Sequence, residues 1–146
     1  MSNKHDPDPS GRQFCLCANI RKTARKITAA YDAALKSAGL NATQFTVLTA
    51  IELMENQRQS DIADALGMDA TTLTRNLKPL VTKGWIEIKH GKDRRVRLLS
   101  LSKKGKAIVK QAIPLWKQIQ DRFVESLGKG QWQKLNDELG AVQEIQ

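Results

Sequence analysis

Apolar residues recur every three or four positions early in the chain, at Leu16, Ile20, Ala24, Ile27, Tyr31 and Leu35. That spacing lays one stripe along a long amphipathic helix. Ser10 and Gln13 have capping-box spacing for its start, and Gly39 is placed to end it. Asn41 and Gln44 repeat the capping-box spacing, after which Phe45, Val47, Leu48 and Ile51 carry a second helix toward Glu55. A short third helix is expected over Gln59 to Leu66, with Ile62, Ala63 and Leu66 facing inward and Gly67 in the turn that follows. Asp69 then caps a fourth. There Leu73, Leu77 and Leu80 face the core, while Thr71, Thr72, Thr74, Arg75 and Lys78 occupy the opposite face. Pro79 lies inside this pattern and removes one hydrogen bond, which predicts a kink or tightening before Gly84 stops the helix.

The period then changes from helical to alternating. Trp85 to Lys89 reads as a strand, His90-Gly91-Lys92-Asp93 as a turn, and Val96 to Leu101 as the returning strand. From Ser102 helical spacing resumes at Ile108, Ala112, Leu115, Ile119 and Phe123, bent by Pro114 and broken at Gly128 and Gly130. Trp132, Leu135, Leu139 and Val142 outline a last short helix. Residues 1–9 are polar, carry two prolines and lack any period, so a disordered tail is expected there. The fold class is therefore mainly α with a small β-hairpin wing. One domain, 10–146, holds a winged helix-turn-helix lobe at 41–101 between long terminal helices at 10–38 and 102–146. The terminal stripes have little local core to cover, which predicts that they pack together and against a second copy.

Length and composition agree with this outline. A chain of 146 residues suits one domain, and 5% aromatic content favours helices packed through Leu, Ile and Ala over an aromatic-rich sandwich. There is no apolar run of about 18 residues and no signal-peptide core in the first ten positions, so a cytoplasmic protein is expected, without a membrane partner. Charge is where composition changes the picture. Lys78 to Lys110 holds eleven Lys or Arg against Glu87 and Asp93, a net of +9 that equals the net charge of the whole chain. Everything outside that stretch balances, so a polyanion meets one positive face on a neutral body.

The candidate chemistry sits in the same place. A helix-turn-helix needs a small residue where two helices cross, a glycine in the turn and apolar anchors on the second helix; Ala63, Gly67 and Leu73 supply them. Thr71 and Thr72 keep the start of the second helix slim enough for a major groove, and Arg75 can reach guanine edges or phosphate. An ordinary helical hairpin with a polar face would share that spacing. The wing favours DNA: Lys89, Lys92, Arg94, Arg95 and Arg97 repel one another on one small ribbon unless an anion is present. Asp93, beside three guanidiniums, is expected to orient an arginine at the tip.

These features together resemble the MarR family of regulators, named for multiple antibiotic resistance, from about Cys15 to the C terminus. The resemblance is carried by Gly39-Leu40 with Thr43-Gln44-Phe45, Asp61-Ile62-Ala63 with Leu66-Gly67-Met68, and Thr72-Leu73-Thr74-Arg75 with Leu77. Most specific is the wing, Asp93-Arg94-Arg95 followed by Leu101-Ser102-Lys103-Lys104-Gly105. The resemblance implies a homodimer with interlocked terminal helices, two winged-helix lobes on a pseudo-palindromic double-stranded operator, and repression relieved by a small aromatic or phenolic inducer. Asn76 departs from it, standing where the family commonly has an apolar residue. A second branch of the family senses organic peroxides through a cysteine in the first helix. Cys17 lies fourteen residues before Tyr31, and Tyr31 thirteen before Gln44, a spacing similar to that branch. Arg21 replaces the tyrosine usual one turn on.

Against that redox role, Cys15 and Cys17 also fit as small buried hydrophobes. Two residues apart on a helix they would point about 200° from each other, which excludes an internal disulfide. A nonspecific architectural DNA binder remains a third reading. No metal site, cofactor or enzymatic activity is expected: the histidines are only His5 and His90, and no Gly-rich phosphate loop is present.

Overall fold

The structure is a computed structural model and describes residues 10–145; the tail expected over 1–9 lies outside the described residues. A 3-10 turn, Arg12–Phe14, precedes α1 (Leu16–Leu35), and a second, Lys36–Ala38, leads to Gly39 in the left-handed region. Then come α2 (Ala42–Leu53), β1 (Gln57–Arg58), α3 (Gln59–Ala65), α4 (Ala70–Thr82), β2 (Ile86–His90), β3 (Arg97–Leu101), α5 (Lys103–Leu127) and α6 (Lys129–Gln143). The three strands form an antiparallel sheet in the order β1-β3-β2. β2 and β3 pair from Ile86 with Leu101 to His90 with Arg97. β1, which alternation could not reveal in two residues, pairs Gln57 with Leu99 and Arg58 with Leu98.

Local rules explain where α2 begins. Asn41 Oδ1 accepts from the Gln44 amide at 2.8 Å, and Gln44 Oε1 accepts from the Asn41 amide at 3.2 Å. Asp32 on α1 adds a third acceptor, taking the Ala42 amide at 2.7 Å, so a carboxylate from one helix sits at the positive end of the next. The core of the lobe is then built from Phe45, Val47, Leu48 and Ile51 of α2, Ile62 and Ala63 of α3, and Leu73, Leu77 and Leu80 of α4. Leu66 packs at the edge of this cluster. Each fully buried leucine or isoleucine contributes roughly 1.5–3 kcal/mol of transfer free energy, so the nine positions fix the arrangement of the three helices.

Several expectations at the ends are corrected. The first helix starts at Leu16 and not at Ser10, because the chain makes a 3-10 turn there with Gly11 as its N-cap. Cys15 therefore precedes the helix as its N-cap, with non-helical backbone angles, and the 200° separation argued from helical geometry does not apply to the pair. Both cysteines are exposed, not buried. Gly128, at φ +80°, ends α5; Gly130 lies inside α6 and breaks nothing. α4 runs on through Pro79 to Thr82, and α5 through Pro114 to Leu127.

Val109 and Ala112 of α5 join the core of the lobe, and the closest approach of the two is at the first turn of α5. Ser102 donates its amide to the Trp85 carbonyl at 3.0 Å and its hydroxyl to the Gly84 carbonyl at 2.6 Å, while Ser102 Oγ accepts from the Gly105 amide at 3.0 Å. One serine thus caps α5 and holds the exit of α4. Gly105 makes this possible: a Cβ there would lie 2.0 Å from the Trp85 carbonyl oxygen. The terminal helices are covered far less. α1 buries only Leu35 and α6 buries nothing, leaving Leu16 at 55% exposure with Ile20, Ile27, Leu135 and Leu139 between 37% and 40%. No described helix is long and apolar enough to cross a membrane.

Gly105→Ala should destabilise the fold by at least about 2 kcal/mol, since the obstructing atom is backbone and cannot swing aside. Gly140→Ala, in open space on α6, should instead be neutral or stabilising by up to about 1 kcal/mol. Urea denaturation of both variants checks this; an unchanged midpoint for Gly105→Ala would contradict the close approach.

Candidate nucleic-acid interface

The α3–α4 pair turns at Gly67, whose φ of +61° is open to glycine at little cost, and α4 is then started by Asp69. Asp69 Oδ1 accepts from the Thr72 amide at 2.7 Å and Oδ2 from the Thr72 hydroxyl at 2.7 Å. These bonds hold the Asp69 carboxyl below the usual carboxylate range. Leu73, Leu77 and Leu80 anchor one side of α4 in the core, so the other side is left outward. Thr71, Thr74, Arg75 and Lys78 are exposed there and line a shallow concavity of about 410 Å³; Thr72 is half-buried beside them. Asn76 lies on neither face: its amide donates to the Met68 sulfur at 3.8 Å, which accommodates the polar residue behind the helix.

The wing is closed by its own turn chemistry. Gly91 donates to the Val96 carbonyl at 2.9 Å, Val96 to the Asp93 carbonyl at 2.9 Å, and His90 Nδ1 lies 2.8 Å from the Arg94 carbonyl. Asp93 does not orient an arginine side chain, as charge alone suggested. Its Oδ1 accepts from the Arg95 backbone amide at 2.9 Å, a bond two residues long that needs no guanidinium to be ordered. Lys89, Lys92, Arg94 and Arg95 are exposed, and Arg97 is half-buried. Among the described residues the ion pairs are Lys106–Glu55, Lys117–Asp121 and Lys134–Glu138, so none neutralises the wing or α4.

Arg97 joins the two elements. It borders a cleft of about 270 Å³ with Thr74, Lys78 and Ile88, and another of about 310 Å³ with Arg58, Gln59, Ser60, Ala63, Ala70 and Arg95. The structure thus gathers Arg75 and Lys78 of α4 with Arg95 and Arg97 of the wing around these clefts, and adds Arg58 and Gln59; Lys92 and Arg94 are exposed at the turn, and Lys89, paired with Leu98, lies on the sheet face opposite Arg97. Arg58 and Gln59 were missed. Arg58 enters only because β1 pairs with β3, a tertiary contact with no local signal; Gln59 enters by donating from Nε2 to Thr74 Oγ1 at 2.9 Å. No described residue cluster here offers a nucleophile held against a base.

A three-helix lobe whose last helix turns a slim polar face outward beside a basic hairpin defines the winged helix-turn-helix class. The chain belongs to the MarR family, whose model matches residues 38–96. Over 90 residues it is 31% identical to YwoH of Bacillus subtilis, an uncharacterised helix-turn-helix transcriptional regulator, across 62% of this chain and 66% of that protein. Over 83 residues it is 36% identical to the transcriptional repressor MprA of Escherichia coli, across 55% of this chain and 47% of that one. The chain thus spans less than two thirds of the length of these curated relatives. Its fold is similar to the M. tuberculosis transcriptional regulator MosR solved in complex with DNA, with TM-score 0.81 and 34% identity over 88% of this chain and 92% of that chain.

The lowered Asp69 carboxyl gives a pH signature. A group whose folded value is depressed contributes stability above its unfolded value and loses it as pH falls through the folded one. The melting-temperature advantage of the wild type over Asp69→Ala should therefore be full above about pH 5 and shrink below about pH 4. A difference that ignores pH would show that the carboxylate is not the capping group.

Proposed function

We propose that the protein is a homodimeric repressor that reads a pseudo-palindromic operator with α4, grips its backbone with the wing, and is released by a small aromatic ligand. The observation that carries this reading is the uncompensated cationic wing set beside the exposed face of α4. Thr71, Thr72, Thr74, Arg75 and Lys78 would face base edges and nearby phosphates, and Lys89, Lys92, Arg94, Arg95 and Arg97 the backbone, with Asp93 shaping the turn that presents them. Division into a DNA-binding lobe and dimerisation helices is supported by the uncovered stripes of α1 and α6. Repression is supported by similarity to MprA.

The ligand reading rests on a cleft where α1, α2 and α5 meet. It measures about 160 Å³ and is lined by Ile27, Thr28, Tyr31, Leu35, Ala42, Phe45, Thr46 and Trp116. A dry cavity of about 150 Å³ accepts a single benzene ring, so one aromatic ring is the right scale. Phe45 and Trp116 stack with centroids 6.1 Å apart, and Tyr31, stacked on Phe123, donates its hydroxyl to Gln120. Burial pushes the Tyr31 phenol up from its ordinary value, which keeps it a neutral donor at physiological pH.

A second reading, a thiol sensor of organic peroxides, is favoured by one observation: Cys15 and Cys17 are both exposed, with Cys15 outside the helix. Titration with an organic hydroperoxide, comparing wild type with Cys17→Ser, separates it from the aromatic-ligand reading. An architectural role is separated by scrambled duplex, which such a protein binds nearly as well as its own promoter region.

Sedimentation at micromolar concentration should show a species about twice 16.3 kDa; a monomer alone overturns the homodimer. Its two copies of α4 should lie about 34–36 Å apart or a multiple of it. Arg94→Ala and Arg95→Ala should weaken binding to every sequence and each reduce the salt slope by about one unit. Arg75→Ala should alter sequence preference as well as affinity. Wing variants that bind normally at every salt concentration would reduce the hairpin to a surface loop.

A further inference from the structure

A threonine hydroxyl has one proton to give and lone pairs to receive with, and whichever role is used internally leaves the other for a ligand. Two hydroxyls on α4 are held in opposite senses. Thr72 gives its proton to Asp69 Oδ2, and a carboxylate can only accept, so what Thr72 turns outward is a lone pair. The direction holds while the Asp69 carboxyl, kept below the usual carboxylate range by the same bonds, is ionised. Thr74 receives from Gln59 Nε2 and keeps its own proton for an outside partner. Gln59 is steadied from α3, with its Oε1 buried and no partner for it among the described residues.

We propose that Asp69 and Gln59 are specificity-determining residues, which act by fixing Thr72 as a hydrogen-bond acceptor and Thr74 as a donor toward DNA. In the major groove adenine and cytosine present exocyclic amino donors, whereas guanine and thymine present keto acceptors. Thr72 therefore selects adenine or cytosine on the strand it meets and disfavours guanine and thymine. The Asp69 charge behind it repels phosphate, which keeps Thr72 on a base edge. Thr74 takes an acceptor, a purine N7, a keto oxygen or a phosphate, and rejects cytosine. This assignment rests on the reading of α4 as the base-contacting helix.

Selection of preferred duplexes from a randomised pool, with the full chain at fixed salt, tests it. Thr72→Val keeps the side-chain shape and marks the position Thr72 reads as the one that loses its preference. The wild type should favour an amino base there by roughly threefold to tenfold, the range of one neutral hydrogen bond. Asp69→Asn keeps the cap through Oδ1 but turns an amide donor onto the Thr72 hydroxyl, which must then donate outward. At that position cytosine should be lost and guanine and thymine gained, with adenine still accepted through N7, and the Asp69→Asn, Thr72→Val double variant should show no preference. Gln59→Glu reverses Thr74 in the same way and should admit cytosine at the position Thr74→Val marks.

If Asp69→Asn selects the wild-type bases, or Thr72→Val changes no position, the proposal fails. Should Asp69→Asn lose the helical circular dichroism of the wild type, Gln59→Glu decides, and unchanged bases at the Thr74 position overturn it. A wild type that selects no sequence overturns the parent reading together with this one. Selection that ignores Asp69 and Gln59 overturns only the assignment of polarity.

Discussion

The structure depends on a backbone contact too short for any side chain: the first turn of α5 pressed against the Trp85 carbonyl at Gly105. Through that contact, and through the bonds from Ser102 to Gly84 and Trp85, the end of α4 and the start of α5 become one rigid corner. Everything that faces outward from α4 inherits its direction from this corner, and everything that covers α1 inherits its position from α5. Lys83 reinforces it from the other side, its ammonium 4.4 Å from the Trp85 ring centroid and 3.4 Å from the Gly39 carbonyl. A loose corner would leave both helices well formed and their relative placement undefined.

Electrostatics and packing divide the molecule cleanly. Where the chain is best packed, among Leu48, Ile51, Ile62, Leu73, Leu80 and Leu99, no charged or polar residue is buried among the described residues. The cations of α4 and the wing, Arg75, Lys78, Lys89, Lys92, Arg94, Arg95 and Arg97, make none of the ion pairs found among the described residues. Ion pairs such as Glu55–Lys106, in which Lys106 holds the Glu55 carboxyl below its usual range, are solvent-exposed and contribute little. Folding is thus driven by the leucine-rich core, and the basic edge is kept available at some cost in self-repulsion.

The elements legible in the sequence were those whose cause is local. α2 starts where Asn41 and Gln44 make a capping box, and α4 where Asp69 meets Thr72, because each motif closes within four residues. The inward face of α4 followed from period, since that helix buries one side; α2 is covered nearly all round, and its buried Phe45, Val47, Leu48 and Ile51 were marked by apolar character. The start of the first helix did not follow, because Leu16 and Ile20 have no core of their own to hold them and the turn at Arg12–Phe14 carries no strong sequence mark. β1 exists only through its pairing with β3, so Arg58 could not be placed, and Gln59, expected to open α3, gave no local sign of its bond to Thr74. Asp93 was misassigned because charge proximity hides a shorter bond to the backbone.

Pro79 has a mechanical side. A proline at this position lacks the amide that would donate to the Arg75 carbonyl, so α4 misses one bond between the segment facing outward and the segment pinned beside Trp85. Thr82 bonds the Lys78 carbonyl below that gap, stiffening the lower turn, while Asp69 stiffens the upper one. The helix thus carries one unmade ladder bond, at the Arg75 carbonyl, between a turn closed by Asp69 and a turn closed by Thr82.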